Sequence, residues 1–263
     1  MRRALLPILA AVLTLAGAGC QEITPPRIAR LQETRLTGKE AREFALQRIR
    51  LGDLHLLAGY YDLAFANYWA AYRRDNSDFT PGSWDDVQAL TRALELPPDV
   101  QLGGPSFGHS TVARIAMALE LQGKYRLLGL LLEYFASGDQ AGSIENAINY
   151  LVAAGYYYHL GGLDKYALPP LKKAVSISSN NLNAYENLAR VSESLGDLEA
   201  ALSYWRIIVV IANQLDPTDK DQGAEQAYYL QTAGASITRL EPLVEGEKMI
   251  KGRGGSTRPR APR

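Results

Sequence analysis

Two stretches of the chain match each other without a gap at an offset of 34 residues, and this internal repeat constrains the fold more than any other feature. Residues 148–181 and 182–215 each contain two amphipathic segments joined at a glycine, so each is predicted to form a pair of helices packed as a hairpin. The five matched pairs that define the register are Gly155/Ala189, Gly162/Gly196, Ala167/Ala201, Leu171/Trp205 and Ala174/Ile208.

Two further copies lie upstream in the same register. In residues 45–78, Ala64, Tyr68 and Ala71 occupy the three signature places of the second helix. Residues 109–142 are less regular, because Leu128 and Phe135 stand where small residues are expected, so the helices of this copy are predicted to be spread apart. An insertion, residues 79–108, separates the two copies. The glycines at the four predicted turns are Gly59, Gly123, Gly162 and Gly196.

This pattern resembles the tetratricopeptide repeat (TPR), a helical hairpin with a period of about 34 residues. The family has small residues where the two helices of a hairpin cross, and a glycine at the turn permits left-handed backbone. The resemblance implies an all-α fold, a TPR-like helical-hairpin solenoid of about four repeats over residues 37–245, ending in a capping helix over residues 218–240. A generic helical bundle with chance glycines is the alternative.

Local signals predict where individual helices begin. Thr37 and Glu40 have the spacing of a capping box, so the first helix is predicted to begin at Thr37. The insertion 79–108 contains one amphipathic segment and is predicted to form its own helix. Pro169 and Pro170 fall within the second helix of the third copy. Because proline removes a backbone hydrogen bond, that helix is predicted to begin late, near Pro169, or to kink there.

The N-terminus has the features of a secretory signal. A 16-residue uncharged run, residues 4–19, follows two arginines. It is shorter than the roughly 20 apolar residues of a membrane span, and it is typical of a signal peptide. Ala18 and Gly19 precede Cys20, the one cysteine, and this order resembles the lipobox of bacterial lipoproteins. The match departs from the family at Gly17, where leucine is preferred.

The lipobox resemblance implies that residues 1–19 are a lipoprotein signal peptide. It also implies diacylglycerol on the Cys20 thiol, cleavage before Cys20 and acylation of the new amine. Residues 20–36 contain two prolines and are predicted to be a tether. The expected location is the bacterial cell envelope, lipid-anchored at the membrane and facing the periplasm. Gln21 after the cysteine resembles the signal for the outer membrane. The alternative is cleavage by the ordinary signal peptidase, which leaves Cys20 as a free thiol.

The charge distribution is uneven although the formal net charge is zero. The last 16 residues contain six basic and no acidic residues, whereas residues 20–247 contain 20 basic and 28 acidic ones. A body that binds nucleic acid is expected to be basic, so no nucleic-acid partner is predicted. Residues 246–263 are rich in Gly, Pro and Arg without apolar periodicity, which predicts a disordered basic tail.

Catalytic motifs are weak. Gly104–Gly108 matches G-x-S-x-G around Ser106, but that motif requires a preceding strand in a parallel sheet. Residues 99–102 are at best one short strand, and nothing else in the chain alternates as strands do. The three histidines are scattered, and His55 is expected to be packed. Residues 216–225 are acidic but lack the spacing of a calcium loop. We therefore predict no catalytic residue, no metal site and no cofactor.

In the TPR family the first helix of each hairpin lines a concave surface. That resemblance places seven residues of the last two copies on the predicted groove: Tyr156, His159, Asn183, Glu186, Asn187, Arg190 and Glu193. The polar row in the last copy could hydrogen-bond an extended peptide, so another protein or a peptide segment is the predicted partner. A solvated helix face is the alternative.

The function predicted from these features is a membrane-anchored scaffold for protein–protein interactions, of the kind that assists assembly of an envelope complex. Two alternatives stay open. One is a structural tether that joins the membrane to an envelope polymer through the basic tail. The other is a serine hydrolase that uses Ser106.

Overall fold

The computed structural model describes residues 38–74, 82–94, 110–137 and 141–254. Every regular element in these ranges is an α-helix, so the predicted all-α class is confirmed. Residues from Ala41 onward belong to one compact unit, and the described residues before Ala41 belong to the unit that precedes it. The helices are α1 Gly38–Leu57, α2 Tyr61–Arg74, α3 Gly82–Ala93, α4 Ser110–Glu120, α5 Tyr125–Phe135, α6 Ile144–Leu160, α7 Asp164–Ile177, α8 Leu182–Ser194, α9 Leu198–Ala212 and α10 Lys220–Gly254.

Helices that follow one another along the chain pack together. Four hairpins, α1–α2, α4–α5, α6–α7 and α8–α9, correspond to the four predicted copies. The second helix of each hairpin packs on the first helix of the next one, and α10 packs on α9. None of the described helices combines the length and the hydrophobicity of a membrane span.

Within each hairpin, a small residue on the first helix occupies the position where the two helices cross. The large residue 16 positions later lies on the second helix. A methyl group built on Gly155 would overlap Leu171, and one built on Gly52 would overlap the ring of Tyr68. Ala189 and Trp205 occupy the same register and are both buried. At the crossing, the first helix therefore has room only for the side chain of glycine or alanine.

The four turns between paired helices share one hydrogen-bonding pattern. Gly59, Gly123, Gly162 and Gly196 all have positive φ, between 65° and 79°. The N–H of the residue after each glycine donates to the carbonyl five residues earlier, as in Leu163 N to Tyr158 O at 2.8 Å. This is the Schellman motif, which closes a helix with a left-handed residue. The predicted left-handed glycine turns are confirmed.

A buried ion pair joins the first two hairpins. The Nε of Arg114, on α4, donates to Oδ1 of Asp53, on α1, at 3.0 Å. The Arg114 side chain is only 1% exposed. The hydroxyl of Tyr68 donates to the same Asp53 oxygen at 2.8 Å, and burial, together with this carboxylate, raises the pKa of Tyr68 well above its ordinary value. The carboxylate is thus held by two donors from two hairpins.

The second hairpin differs from the others, as its sequence predicts. The helices α4 and α5 pack less extensively than those of the third and fourth hairpins. The whole of α4 from Ser110 to Leu119 is buried, and α3, the predicted insertion helix, packs on it. The predicted capping box at Thr37 lies outside the described residues.

The predicted late start of α7 is wrong. The helix begins at Asp164 and continues through both prolines to Ile177. The N–H groups of Tyr166 and Ala167 both donate to the Leu163 carbonyl, at 2.8 and 3.3 Å. The first turn is therefore closed before the prolines are reached, and Pro170 is buried. The alternative, a kink of α7 at Pro169, stays a prediction.

The predicted limits of the C-terminal helix are also wrong. α10 continues to Gly254, so residues 246–254 are helical instead of disordered; residues 255–263 lie outside the described residues. A stripe of buried apolar residues continues past residue 240 to Val244 and packs on α9, and Nζ of Lys248 lies 3.6 Å from Oε1 of Glu199 on α9. Arg206 of α9 also pairs with Glu241 at 2.7 Å.

We expect Gly155→Ala to lower the free energy of unfolding by about 2 kcal/mol, because the new methyl group overlaps Leu171 in a packed core. Gly234→Ala is the matched control: Gly234 also lies within a helix, but no atom lies within 4 Å of the added carbon. That variant should be more stable by about 0.5–1 kcal/mol, since alanine favours helix. Urea unfolding followed by circular dichroism measures both. Equal effects from the two substitutions would contradict the close crossing.

Candidate functional site

The predicted polar row lies on one face of α8. Asn181 caps this helix by accepting a hydrogen bond from the N–H of Ala184 at 2.8 Å. Asn183, Glu186, Arg190 and Glu193 then follow at intervals of three or four residues. This spacing brings them onto one side of the helix, as the sequence predicts.

Glu186 is the centre of the row and is only 8% exposed. Its Oε1 accepts hydrogen bonds from Arg190, at 2.7 Å from Nη2 and 3.1 Å from Nε. The Tyr228 hydroxyl donates to the same oxygen at 3.1 Å. Burial alone would lower the pKa of Arg190, but the bonds to Glu186 raise it above its ordinary value. The carboxylate therefore keeps the guanidinium charged and fixed in position.

The C-terminal helix α10 contacts three of the predicted groove residues. Tyr229 donates to Oδ1 of Asn183 at 2.7 Å, and Tyr228 donates to Glu186. Arg239 pairs with Oε2 of Glu193 at 2.5 Å. The other Glu193 oxygen accepts from the indole N–H of Trp205 at 2.7 Å. Much of the hydrogen-bonding capacity of the row is thus used inside the chain.

These partners on α10 were not predicted from the sequence. The signal that could have found them is the spacing of Tyr228 and Arg239, which are 11 residues apart, about three helical turns, and so lie on one face of α10. Burial, reinforced by nearby carboxylates, raises the pKa of Tyr229 well above its ordinary value. Its hydroxyl therefore stays protonated and able to donate.

The two predicted residues on α6 lie in a different environment. Tyr156 is partly buried, with its ring centroid 5.3 Å from that of Tyr157. Nδ1 of His159 lies 2.5 Å from Oδ1 of Asp164, and the Ser194 hydroxyl donates to the other Asp164 oxygen at 2.5 Å. A serine protease triad has histidine between serine and aspartate. Here the aspartate lies between the other two, so His159 is not placed to take the Ser194 proton.

The predicted groove residues that α10 does not contact form a smaller surface than predicted. On α8 they are Arg190, which is exposed, and Asn187, which is partly buried; on α6 they are Tyr156 and His159, both partly buried. α6 packs directly against α8, so these two helix faces are neighbours. The Arg190 side chain is 49% exposed despite its bond to Glu186. We refer to these four residues as the exposed groove surface.

Other predicted positions are not part of this surface. Cys20 and Ser106 lie outside the described residues. Nδ1 of His55 lies 3.1 Å from Nδ2 of Asn67, a buried residue of α2, so His55 is packed in the first hairpin. Among the described residues, no three side chains of metal-binding type are grouped closely enough to hold an ion.

A scan against models of protein families and a search of curated proteins both find no match for this chain. Neither comparison therefore assigns a family. The resemblance to tetratricopeptide repeats stays a prediction from the repeated residues.

We expect the double substitution Tyr228→Phe with Tyr229→Phe to weaken the contact between α8 and α10 by about 1 kcal/mol, because Asn183 and Glu186 lose their donors. Amide hydrogen exchange should become faster in α10 and unchanged in α6. Tyr60→Phe, at an exposed tyrosine of the first turn, is the control and should have no effect. Unchanged exchange in α10 would show that the tyrosine hydroxyls do not hold the helix.

Proposed function

We propose that this chain is a TPR-like solenoid that is anchored to a membrane through Cys20 and binds a segment of another protein. The observation that carries this proposal is the Schellman turn that the four hairpins share in one register, together with the small-to-large crossing of the first, third and fourth hairpins. A solenoid offers an extended surface to a partner, so affinity comes from contacts distributed along it.

The exposed groove surface is the proposed contact region. The Asn187 amide donates one hydrogen bond to the Asn183 carbonyl at 2.9 Å, and its other N–H and its oxygen suit the backbone of an extended peptide. Arg190 is held by Glu186, and its guanidinium carbon lies 6.0 Å from the centroid of the Trp205 ring. Tyr156 supplies apolar area at low entropic cost. Arg190 is fixed near the amide of Asn187 and the ring of Trp205. This arrangement favours binding of a polar peptide that places a carbonyl or carboxylate near Arg190.

The role we propose is that of a scaffold that performs no chemical step. A lipid on Cys20 would hold the protein at the envelope membrane facing the periplasm, and the outer membrane is the proposed site. The chain between Cys20 and α1 would let the hairpins reach a partner away from the bilayer. Assembly of an envelope complex is the process that such an arrangement fits best.

We expect Asn187→Ala with Arg190→Ala to reduce recovery of the bound partner about tenfold, since both substitutions remove hydrogen-bonding groups from the exposed surface. The measurement is photo-crosslinking in the native cell, from a probe placed at Tyr156, with quantitative mass spectrometry. Lys172→Ala with Lys173→Ala, on the exposed side of α7, is the matched control and should leave recovery unchanged. Equal recovery from both double variants would argue against this surface.

We expect Cys20→Ser to abolish incorporation of a labelled fatty acid into the chain. The hydroxyl of serine cannot take the place of the thiol as acceptor in lipoprotein acylation, so the wild type should label and the variant should not. The label is followed by gel fluorescence after metabolic incorporation of an alkyne fatty acid. If the wild type does not incorporate the label, the proposed lipid anchor is wrong. That result does not test peptide binding by the exposed groove surface.

A further inference from the structure

The last part of α10 extends past the helix on which it packs. Arg206 of α9 pairs with Glu241 of α10. Seven residues earlier on α9, Glu199 lies 3.6 Å from Lys248, which is seven residues further along α10. The two helices are therefore antiparallel. Because Glu199 lies in the first turn of α9 and α10 continues to Gly254, the residues after Lys248 pass the start of α9.

This end of α10 exposes large apolar side chains. Leu243 is 50% exposed, Met249 63% and Ile250 74%. Leu243 and Ile250 are two helical turns apart and share one face of the helix. Val244 is buried against α9, so that face differs from the packed one. Residues 251–263 contain no Val, Leu, Ile, Met or aromatic residue, so the chain that follows has no large apolar side chain to cover them.

The charge of the chain changes sign at the same place. Glu247 is the last acidic residue, and the 16 residues from Lys248 onward contain six basic residues. Residues 20–247, in contrast, contain 20 basic and 28 acidic residues. The Lys248 side chain is 63% exposed beside Glu199. Exposed apolar residues next to basic ones are typical of a helix that lies at the surface of an anionic membrane.

We propose that the end of α10, from Leu243 onward, binds a membrane surface that contains anionic phospholipids. Leu243 and Ile250 enter the boundary between headgroups and acyl chains, and the basic residues contact the lipid phosphates. A soluble acidic polymer offers the same negative charge but no apolar layer for these two side chains. The contact does not depend on acylation of Cys20, so either proposal can fail without the other.

The first test uses the full-length chain with Cys20→Ser, so that no lipid is attached, and with Met249→Cys carrying the dye acrylodan. Vesicles of phosphatidylglycerol and phosphatidylcholine in equal parts should shift the emission to shorter wavelength, because the dye leaves water. Vesicles of phosphatidylcholine alone should leave most of the emission unshifted. The same dye at Leu130→Cys, on the exposed side of α5, is the matched control and should not shift.

The dye reports only its own position, so membrane binding by residues 4–19 does not imitate this result. No shift at residue 249 with the anionic vesicles would overturn the proposal. An equal shift with both kinds of vesicle would also overturn it, since the contact would then not depend on lipid charge.

The second test removes the basic residues of this end by substitution with glutamine. They are Lys248, Lys251 and Arg253. The triple variant should lower the ratio of membrane-bound to free α10 ends about 100-fold, because each basic residue near an anionic surface contributes roughly a fivefold factor. The control replaces three exposed lysines of α7 by glutamine and should leave the ratio unchanged. These are Lys165, Lys172 and Lys173. Equal losses from the two triple variants would contradict a local contact.

The third test addresses the apolar residues. Leu243→Ser with Ile250→Ser should lower the same ratio about tenfold, since two apolar side chains no longer enter the bilayer. Circular dichroism without vesicles should show unchanged helix content, because both side chains are exposed. If this variant binds vesicles like the unsubstituted chain and the basic end binds soluble polyglutamate equally well, charge alone is recognised. The membrane proposal would then be wrong.

Discussion

The fold depends on how closely the two helices of each hairpin can approach. At Gly155 and Gly52 the facing side chain fills the space that a methyl group would need, so any larger residue would push the helices apart. Close crossing lets a three-residue turn join the helices, because their ends lie near each other. It also keeps the buried side chains continuous, and one core cluster extends from Leu56 of α1 to Val191 of α8.

The features that the sequence predicted are those set by local chemistry. A positive φ favours glycine wherever it occurs, so Gly162 and its equivalents identified the turns without any knowledge of packing. Helix limits were less predictable. The prediction that α7 begins late, near Pro169, failed, since the first turn before the prolines is already closed by bonds to the Leu163 carbonyl. The end of α10 was missed because its apolar residues matter only once α9 lies beside them.

The candidate site shows a second limit of periodicity. The spacing of Asn183, Glu186 and Glu193 correctly placed them on one face of α8, but it said nothing about what lies opposite. Their partners on α10 are 42 to 46 residues further along the chain. A polar row that binds a peptide and one that binds a neighbouring helix have the same composition.

The ion pair between Asp53 and Arg114 imposes an order on how the chain can fold as it is made. The N-terminus emerges first, and domains generally fold as units in that direction. Asp53 and Tyr68 are available early, but the arginine that neutralises the carboxylate is 61 residues beyond Asp53. The helix that covers this carboxylate is the one that brings Arg114, so burial of the negative charge and its neutralisation occur in the same docking step. A chain halted before residue 114 would present its first hairpin without that contact to proteases and chaperones.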